Sequence, residues 1–330
     1  MASRINQEVL NKLIRAAVFL GCYAAWIFAV RVISLSLVTY LQISSSARFF
    51  LSSDPARLPR FEEIGETFAA HETTIMGFAS LLFLFLLPLF NPITSTTVTE
   101  IFPRQEIKKN FLPGFAKGFV FGCAILAGFA AAGTHRYLGY YMQLEETPWA
   151  IVGVLIKTAA ILLLAYCEEY IFRHKIMRYF LPHTYSNLVM SLLASCIIAM
   201  AYCGIKLIQF DLGVMQLVTL FLLSLSFSIN AFMTGDPANI GSTTTSYING
   251  AGVFAGLLVL FNSLLSLPVF SEEFSGAFVF KFQADAVSDY SFLTGGAAGP
   301  FAGTLFQLIL LVHVLRSTIR YKKGIKICLK

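Results

Sequence analysis

Ala150-Ile-Val-Gly-Val-Leu-Ile-Lys157-Thr-Ala-Ala-Ile-Leu-Leu-Leu-Ala-Tyr166-Cys-Glu168-Glu169-Tyr170-Ile-Phe-Arg173-His174-Lys175 is the stretch on which the reading of this chain turns. An apolar run that starts beside Trp149 passes into two adjacent carboxylates and an arginine with no turn residue between them, so one helix is expected to carry both parts. On that helix Glu169 and Arg173 stand four apart, with the acid N-terminal to the base, the favourable order for an ion pair. Glu168 is rotated by about 100° from Glu169 and points elsewhere. Charges inside a membrane helix are costly and face a protein interior or a wet cavity. One salt bridge accounts for one of the two acids.

Working outward, 57% hydrophobic and 13% charged residues over 330 positions exclude an ordinary soluble domain. Several apolar stretches approach the roughly 20 residues that cross a bilayer as a helix. The expected fold is all-α: a polytopic membrane helical bundle of about eight transmembrane helices. The net charge of +6 points to basic residues flanking spans rather than to nucleic acid. Six cysteines without a CxxC pair read as small buried hydrophobes, not as a disulfide framework or zinc knuckle. No cofactor is indicated, and two carboxylates without histidine or cysteine beside them make a poor zinc site. The basic N-terminus leads into a long apolar run that reads as a retained first span.

The spans are expected at about Ala16–Leu41, Thr74–Phe90, Phe115–Ala132, Pro148–Phe180, Tyr185–Ile208, Leu212–Phe232, the run ending near Phe270, and Gly299–Leu315. The first carries an awkward Arg31. Ser44 to Glu72, with Pro55, Pro59 and Glu62, Glu63 and Glu66, reads as an amphipathic or surface connection. Span three sets Gly114, Gly118 and Gly122 four apart, a spacing that lets helices approach closely. Span four is long enough, at about 50 Å, to push Arg173, Lys175 and Arg178 into the interface, which gives His174 a surface role. A Ser/Thr-rich run, Ser242 to Ser246, precedes span seven, and a connection with Glu272, Glu273, Asp285 and Asp289 follows it.

Eight spans place both termini on one side. That side carries sixteen of the Lys and Arg residues and the other six, Lys206 among them, which makes both termini cytoplasmic by the positive-inside rule. The expected location is a bacterial inner (cytoplasmic) membrane, with the glutamates in its cytoplasmic half and membrane lipid as the surrounding partner.

Glu168-Glu169-Tyr170-Ile171-Phe172-Arg173 resembles the EExxxR motif, in its EExxFR form, of the CPBP intramembrane proteases: CAAX prenyl endopeptidases, bacteriocin-processing and immunity proteins, and abortive-infection proteins. A glycine-rich helix one span earlier and Leu293-Thr-Gly-Gly-Ala-Ala-Gly-Pro300 strengthen the resemblance, which covers about Phe111 to Leu315. It implies an N-terminal membrane region over 1–110 and a protease-like core over 111–330. It also implies a glutamate-dependent endopeptidase acting near the cytoplasmic face on membrane-associated or prenylated peptides. Glu168 would activate water, Glu169 and Arg173 would form the supporting pair, and histidines on two later helices would complete the site.

The chain departs from that pattern at both histidines. Ile198-Ala-Met-Ala-Tyr202 stands where FxxxH is expected, and Thr245-Ser-Tyr-Ile-Asn249 where HxxxN is expected. A phenol, with a reference pKa of about 10, is no base near neutrality, though it donates hydrogen bonds. Three function classes therefore stand open. In a peptidase, Glu168 acts with Tyr202 and Asn249 as hydrogen-bonding helpers. A catalytically inactive relative binds a membrane peptide or partner. A transporter or channel uses Lys157, Glu168 and Glu169 as an ion path, although no inverted repeat is visible.

Overall fold

The computed structural model describes residues 2–50, 61–90, 101–131, 133–140, 150–179, 188–234, 240–270, 279–284 and 291–328. Eight long helices build it: α1 (Ala2–Phe50), α2 (Phe61–Leu86), α3 (Leu112–Ala131), α4 (Ala150–Glu169), α5 (Leu188–Gln209), α6 (Val214–Thr234), α7 (Ile240–Leu258) and α8 (Thr304–Cys328). Seven of them, counted with their continuations, are long and apolar enough to cross a membrane. The protein is thus an all-α integral membrane bundle. Large apolar side chains such as Val120, Val189 and Val214 are more than 60% exposed on its outside, as lipid-facing surfaces are and water-facing ones are not.

The eighth expected span is a helix, but α8 is apolar only up to Leu315 and turns basic from Arg316. Twelve residues reach about 18 Å, short of a hydrocarbon core of about 30 Å. The first two helices are longer than expected. α1 runs to Phe50 and α2 starts at Phe61, so Glu66 and Glu72 ride on α2, whose first turns are amphipathic, with Ile64 and Phe68 buried and Glu63 and Glu66 exposed. Arg31, awkward in the sequence, ends 3.1 Å from buried Glu72 and donates to the Ile208 carbonyl at 3.0 Å. That pair ties α1 to α2 and α5. Pro55, Pro59, Glu272, Glu273, Asp285, Asp289 and the side chains of Glu62 and Ser242 to Thr245 lie outside the described residues.

Helix directions follow from the contacts. Tyr23 meets Ser80 and Gln42 meets Thr67, so α1 and α2 are antiparallel. Cys203 donates to Leu217 O while Ala199 clusters with Leu225 and Ile229, so α5 and α6 are antiparallel. α8 runs alongside α6 in the same sense, with Gln307 on Met215 and His313 beside Asn230. The start of α1 and the end of α8 lie at the same end of the bundle. At the other end β1 (His135–Tyr140) pairs antiparallel with β2 (Phe280–Ala284).

The closest helix contact is the glycine seam. Gly114 packs on the Asn249 carbonyl and Gly118 on that of Val253, while Gly252 and Gly256 of α7 face the α3 backbone at Phe111 and Phe115. A Cβ at Gly118 would occupy the space of the Val253 carbonyl oxygen. α3 and α7 therefore run parallel at backbone contact, the close approach that the four-residue glycine spacing allows. Gly299, in the Leu293–Pro300 segment, has φ +79° and turns against the Pro268 carbonyl, where no side chain fits. Of the cysteines, Cys167 is buried, whereas Cys22 and Cys123 lie exposed on the bundle's outside.

Among the described residues three π-helical turns interrupt this regular pattern: Ile107–Phe111 before α3, Tyr170–Ile176 after α4 and Val259–Leu264 after α7. The expected single helix through Glu168 and Arg173 is present, with a widened turn beginning one residue after the glutamates. Its basic end emerges only in part, at half-buried Arg178. Arg173, His174 and Lys175 are all buried, because α5, α6 and α7 surround that turn. His174 packs between the rings of Tyr170 and Tyr247, with centroids at 5.0 and 4.9 Å.

Candidate functional site

Tyr166 to Ile176 are buried at every position, so the end of α4 is enclosed on all sides and its two acids must each find a partner within protein. Their 100° separation sends them to different helices. Glu168 turns to α5, where Lys206 Nζ lies 2.7 Å from Oε1 and Tyr202 donates to Oε2 at 3.2 Å. Tyr202 and Lys206 are four apart and share a helix face. The ammonium sits among rings, 4.6 Å from the Phe270 centroid, 5.0 Å from Phe210 and 5.9 Å from Phe254. Aromatic faces stabilise a cation that has left water. Glu168 and Lys206 are both wholly buried.

Glu169 turns to α6 and α7. Arg173 Nη1 lies 2.8 Å from its Oε1, and Arg173 Nη2 donates to Ser224 Oγ at 2.6 Å. The guanidinium carbon also stands 4.8 Å from the Tyr202 ring centroid. Tyr202 thus serves both pairs, its hydroxyl on Glu168 and its ring on Arg173. The second oxygen of Glu169 is different: Oε2 accepts no hydrogen bond among the described residues, although the residue is only 1% exposed.

Glu169 and Arg173 line a cavity of about 790 Å³ between α3, α6, α7 and α8, and Asn249 lines it too. The wall changes character along its length. On α3 and α7 it passes from Lys117, Ser246 and Asn249 to Phe121, Val253 and Leu257. On α6 and α8, which run the other way, Asn230 and His313 join the polar end, and Leu223 and Ile309 the apolar one. Asn249 also donates to the Asn110 carbonyl at 3.3 Å.

The five residues singled out in the sequence thus fall into two groups. Glu168 and Tyr202 sit in the sealed pair with Lys206, whereas Glu169, Arg173 and Asn249 face the cavity. The Thr245 side chain lies outside the described residues. Lys206, counted from the sequence among the basic residues of the non-cytoplasmic side, is instead the buried partner of the first acid. The spacing Tyr202-x-x-x-Lys206 within an apolar helix was the available signal. Among the described residues no group of three His, Cys, Asp or Glu could hold a metal ion. No family profile, curated protein or solved structure matches the chain.

Proposed function

We propose that this chain is a non-hydrolytic, membrane-embedded binding protein built on the CPBP plan, holding a membrane-associated ligand in the cavity without cutting it. The observation that carries the proposal is the state of Glu168. A general base needs a water within hydrogen-bonding reach and a free lone pair toward it. Glu168 instead gives one oxygen to Lys206 and the other to Tyr202, inside an aromatic cage and away from the cavity. The acid on the cavity, Glu169, is already engaged by Arg173. An ion path is not favoured either, since Lys157 is anchored on the Asn262 carbonyl at 3.2 Å and Glu168 on Lys206.

The same proposal puts both termini on the cytoplasmic side of a bacterial inner membrane. Setting aside buried Lys206 on one side and buried Arg173 and Lys175 on the other leaves fourteen basic residues against five, an asymmetry of the same sense. Cysteine labelling at position 330 from the outer face would overturn that orientation.

The test incubates purified, reconstituted protein with prenylated and unprenylated membrane peptides beside a Glu168→Ala variant. No cleavage above the variant is expected. Cleavage that disappears in Glu168→Ala would establish a working hydrolase and end the proposal.

A further inference from the structure

We infer that the cavity selects a glycerophospholipid whose headgroup carries a primary ammonium, binding its ammonium at Glu169 Oε2 and its phosphate at Arg173 and Lys117. The inference rests on the binding-protein reading above and names the ligand class. Three observations meet in it. First, the cavity is amphipathic along one axis, with Lys117, Asn230 and Asn249 at one end and Phe121, Leu257 and Ile309 at the other. A molecule with a polar head and an acyl body matches that order. Its volume of about 790 Å³ also falls within the roughly 300–1,000 Å³ of small-molecule sites.

Second, the polar end holds an unused acceptor and an unused donor on neighbouring side chains. Glu169 Oε2 and Arg173 Nε have no hydrogen-bond partner among the described residues, and both residues are only 1% exposed. Buried polar atoms left unmatched are costly. A zwitterion matches both: N–H donors for the carboxylate oxygen, phosphate oxygens for the guanidinium. Exposed Lys117 at the same end adds a second cation for the phosphate.

Third, the approach to Oε2 is kept clear by a missing side chain. A Cβ on Gly250 would stand 3.1 Å from Glu169 Oε2, in the place a ligand donor would take. Gly250 lies within α7, where alanine is the better helix former, so its absence there is not explained by helix formation. A charged N–H gives this carboxylate oxygen its strongest partner. A quaternary ammonium has none to give, and a glycerol headgroup brings no positive charge.

The experiment uses the full-length protein in detergent micelles with an acyl-labelled fluorescent phosphatidylethanolamine. Unlabelled phosphatidylethanolamine, phosphatidylcholine and phosphatidylglycerol of identical chains compete with it. Phosphatidylethanolamine is expected to displace the probe at about tenfold lower concentration than the other two, the scale of one charge-assisted hydrogen bond. Glu169→Gln and Gly250→Ala should each erase that preference, and Lys117→Ala should weaken all three lipids alike. Gly250→Ala leaves the Glu169–Arg173 pair in place, so it decides the matter if Glu169→Gln does not fold. Equal displacement by the three lipids would overturn the inference, as would a preference that survives Gly250→Ala. A hydrophobic peptide that displaces the probe better than any lipid would transfer the site to peptides. Peptide cleavage would end the non-hydrolytic reading while leaving the lipid ranking measurable, so the two fail separately.

Discussion

Glu168 and Glu169 are neighbours in the chain with opposite surroundings. The first pair, Glu168–Lys206, is closed: both charges are wholly buried, the remaining carboxylate oxygen is taken by Tyr202, and phenyl rings surround the cation. The second, Glu169–Arg173, is as deeply buried but has an open side, with one carboxylate oxygen uncommitted beside a cavity. The first arrangement spends its polarity on holding α4 to α5. The second holds α4 to α6 and keeps some polarity in reserve. One residue of helical phase separates a structural charge from a recognising one.

The largest effect is expected at the closed pair. Lys206→Ala leaves Glu168 buried without a counter-charge, at a cost of about 3–5 kcal/mol. The loss should appear as little monodisperse protein after extraction and a much lower melting temperature. The double variant Glu168→Leu/Lys206→Met should recover most of it, since apolar replacement of both partners of a buried pair is often neutral or stabilising. A double variant as damaged as Lys206→Ala would show that Glu168 has a role beyond the pair.

Arg173→Ala comes next, at about 1.5–3 kcal/mol, the range for hydrogen bonds to charged groups. Its cost is lower because the cavity gives Glu169 a place to be solvated. Equal melting temperatures for Arg173→Ala and Lys206→Ala would erase the distinction between open and closed pairs. Tyr202→Phe removes one hydroxyl and keeps the ring over Arg173, so about 0.5–1.5 kcal/mol should be lost. Glu168 is then the group affected, while cavity binding stays unchanged. A change in ligand affinity in Tyr202→Phe would mean that the two pairs communicate.

The smallest effect lies at the far end of the bundle and serves as a control on both pairs. His135 is buried beside Phe129, 5.2 Å between ring centroids, and burial holds its imidazole below the ordinary value. It is neutral in the folded protein and takes a proton near pH 6.5 when unfolded. Its contribution is therefore complete above about pH 6.5 and is lost as pH falls toward the folded value. Between pH 7.5 and 5 the melting temperature should fall less in His135→Phe than in the parent protein. An identical fall in both would place the acid sensitivity elsewhere.

Most of the fold was legible because bilayer thickness turns composition into length. α5 and α6 begin and end within two or three residues of the apolar runs that announced them. The Gly114, Gly118, Gly122 spacing announced the seam with α7, but not which helix would supply the other side. The Glu169–Arg173 contact followed from four-residue spacing alone. Lys206 did not, because a lysine near the end of an apolar run normally belongs to the interface, and only tertiary packing carries it inward to Glu168. For the same reason the burial of His174 and Lys175 was missed. Helix length predicts how far a span reaches, not how many neighbours enclose its end.

The π-helical turns have a consequence for how this protein would answer a substitution scan. A π turn bonds each N–H to the carbonyl five residues back, which departs from the regular i−4 ladder. Carbonyls within two of these turns are in use between helices: Asn110 O takes the Asn249 side chain and Asn262 O takes Lys157. These tethers belong to the main chain, so changing the side chain at 110 or 262 leaves the acceptor where it is. A library that replaces every residue one at a time would register these tethers at Asn249 and Lys157 and not at the residues that accept them. Deleting a single residue within either turn would shift that carbonyl relative to its partner. Here, the informative mutation is a change of chain length rather than of residue type.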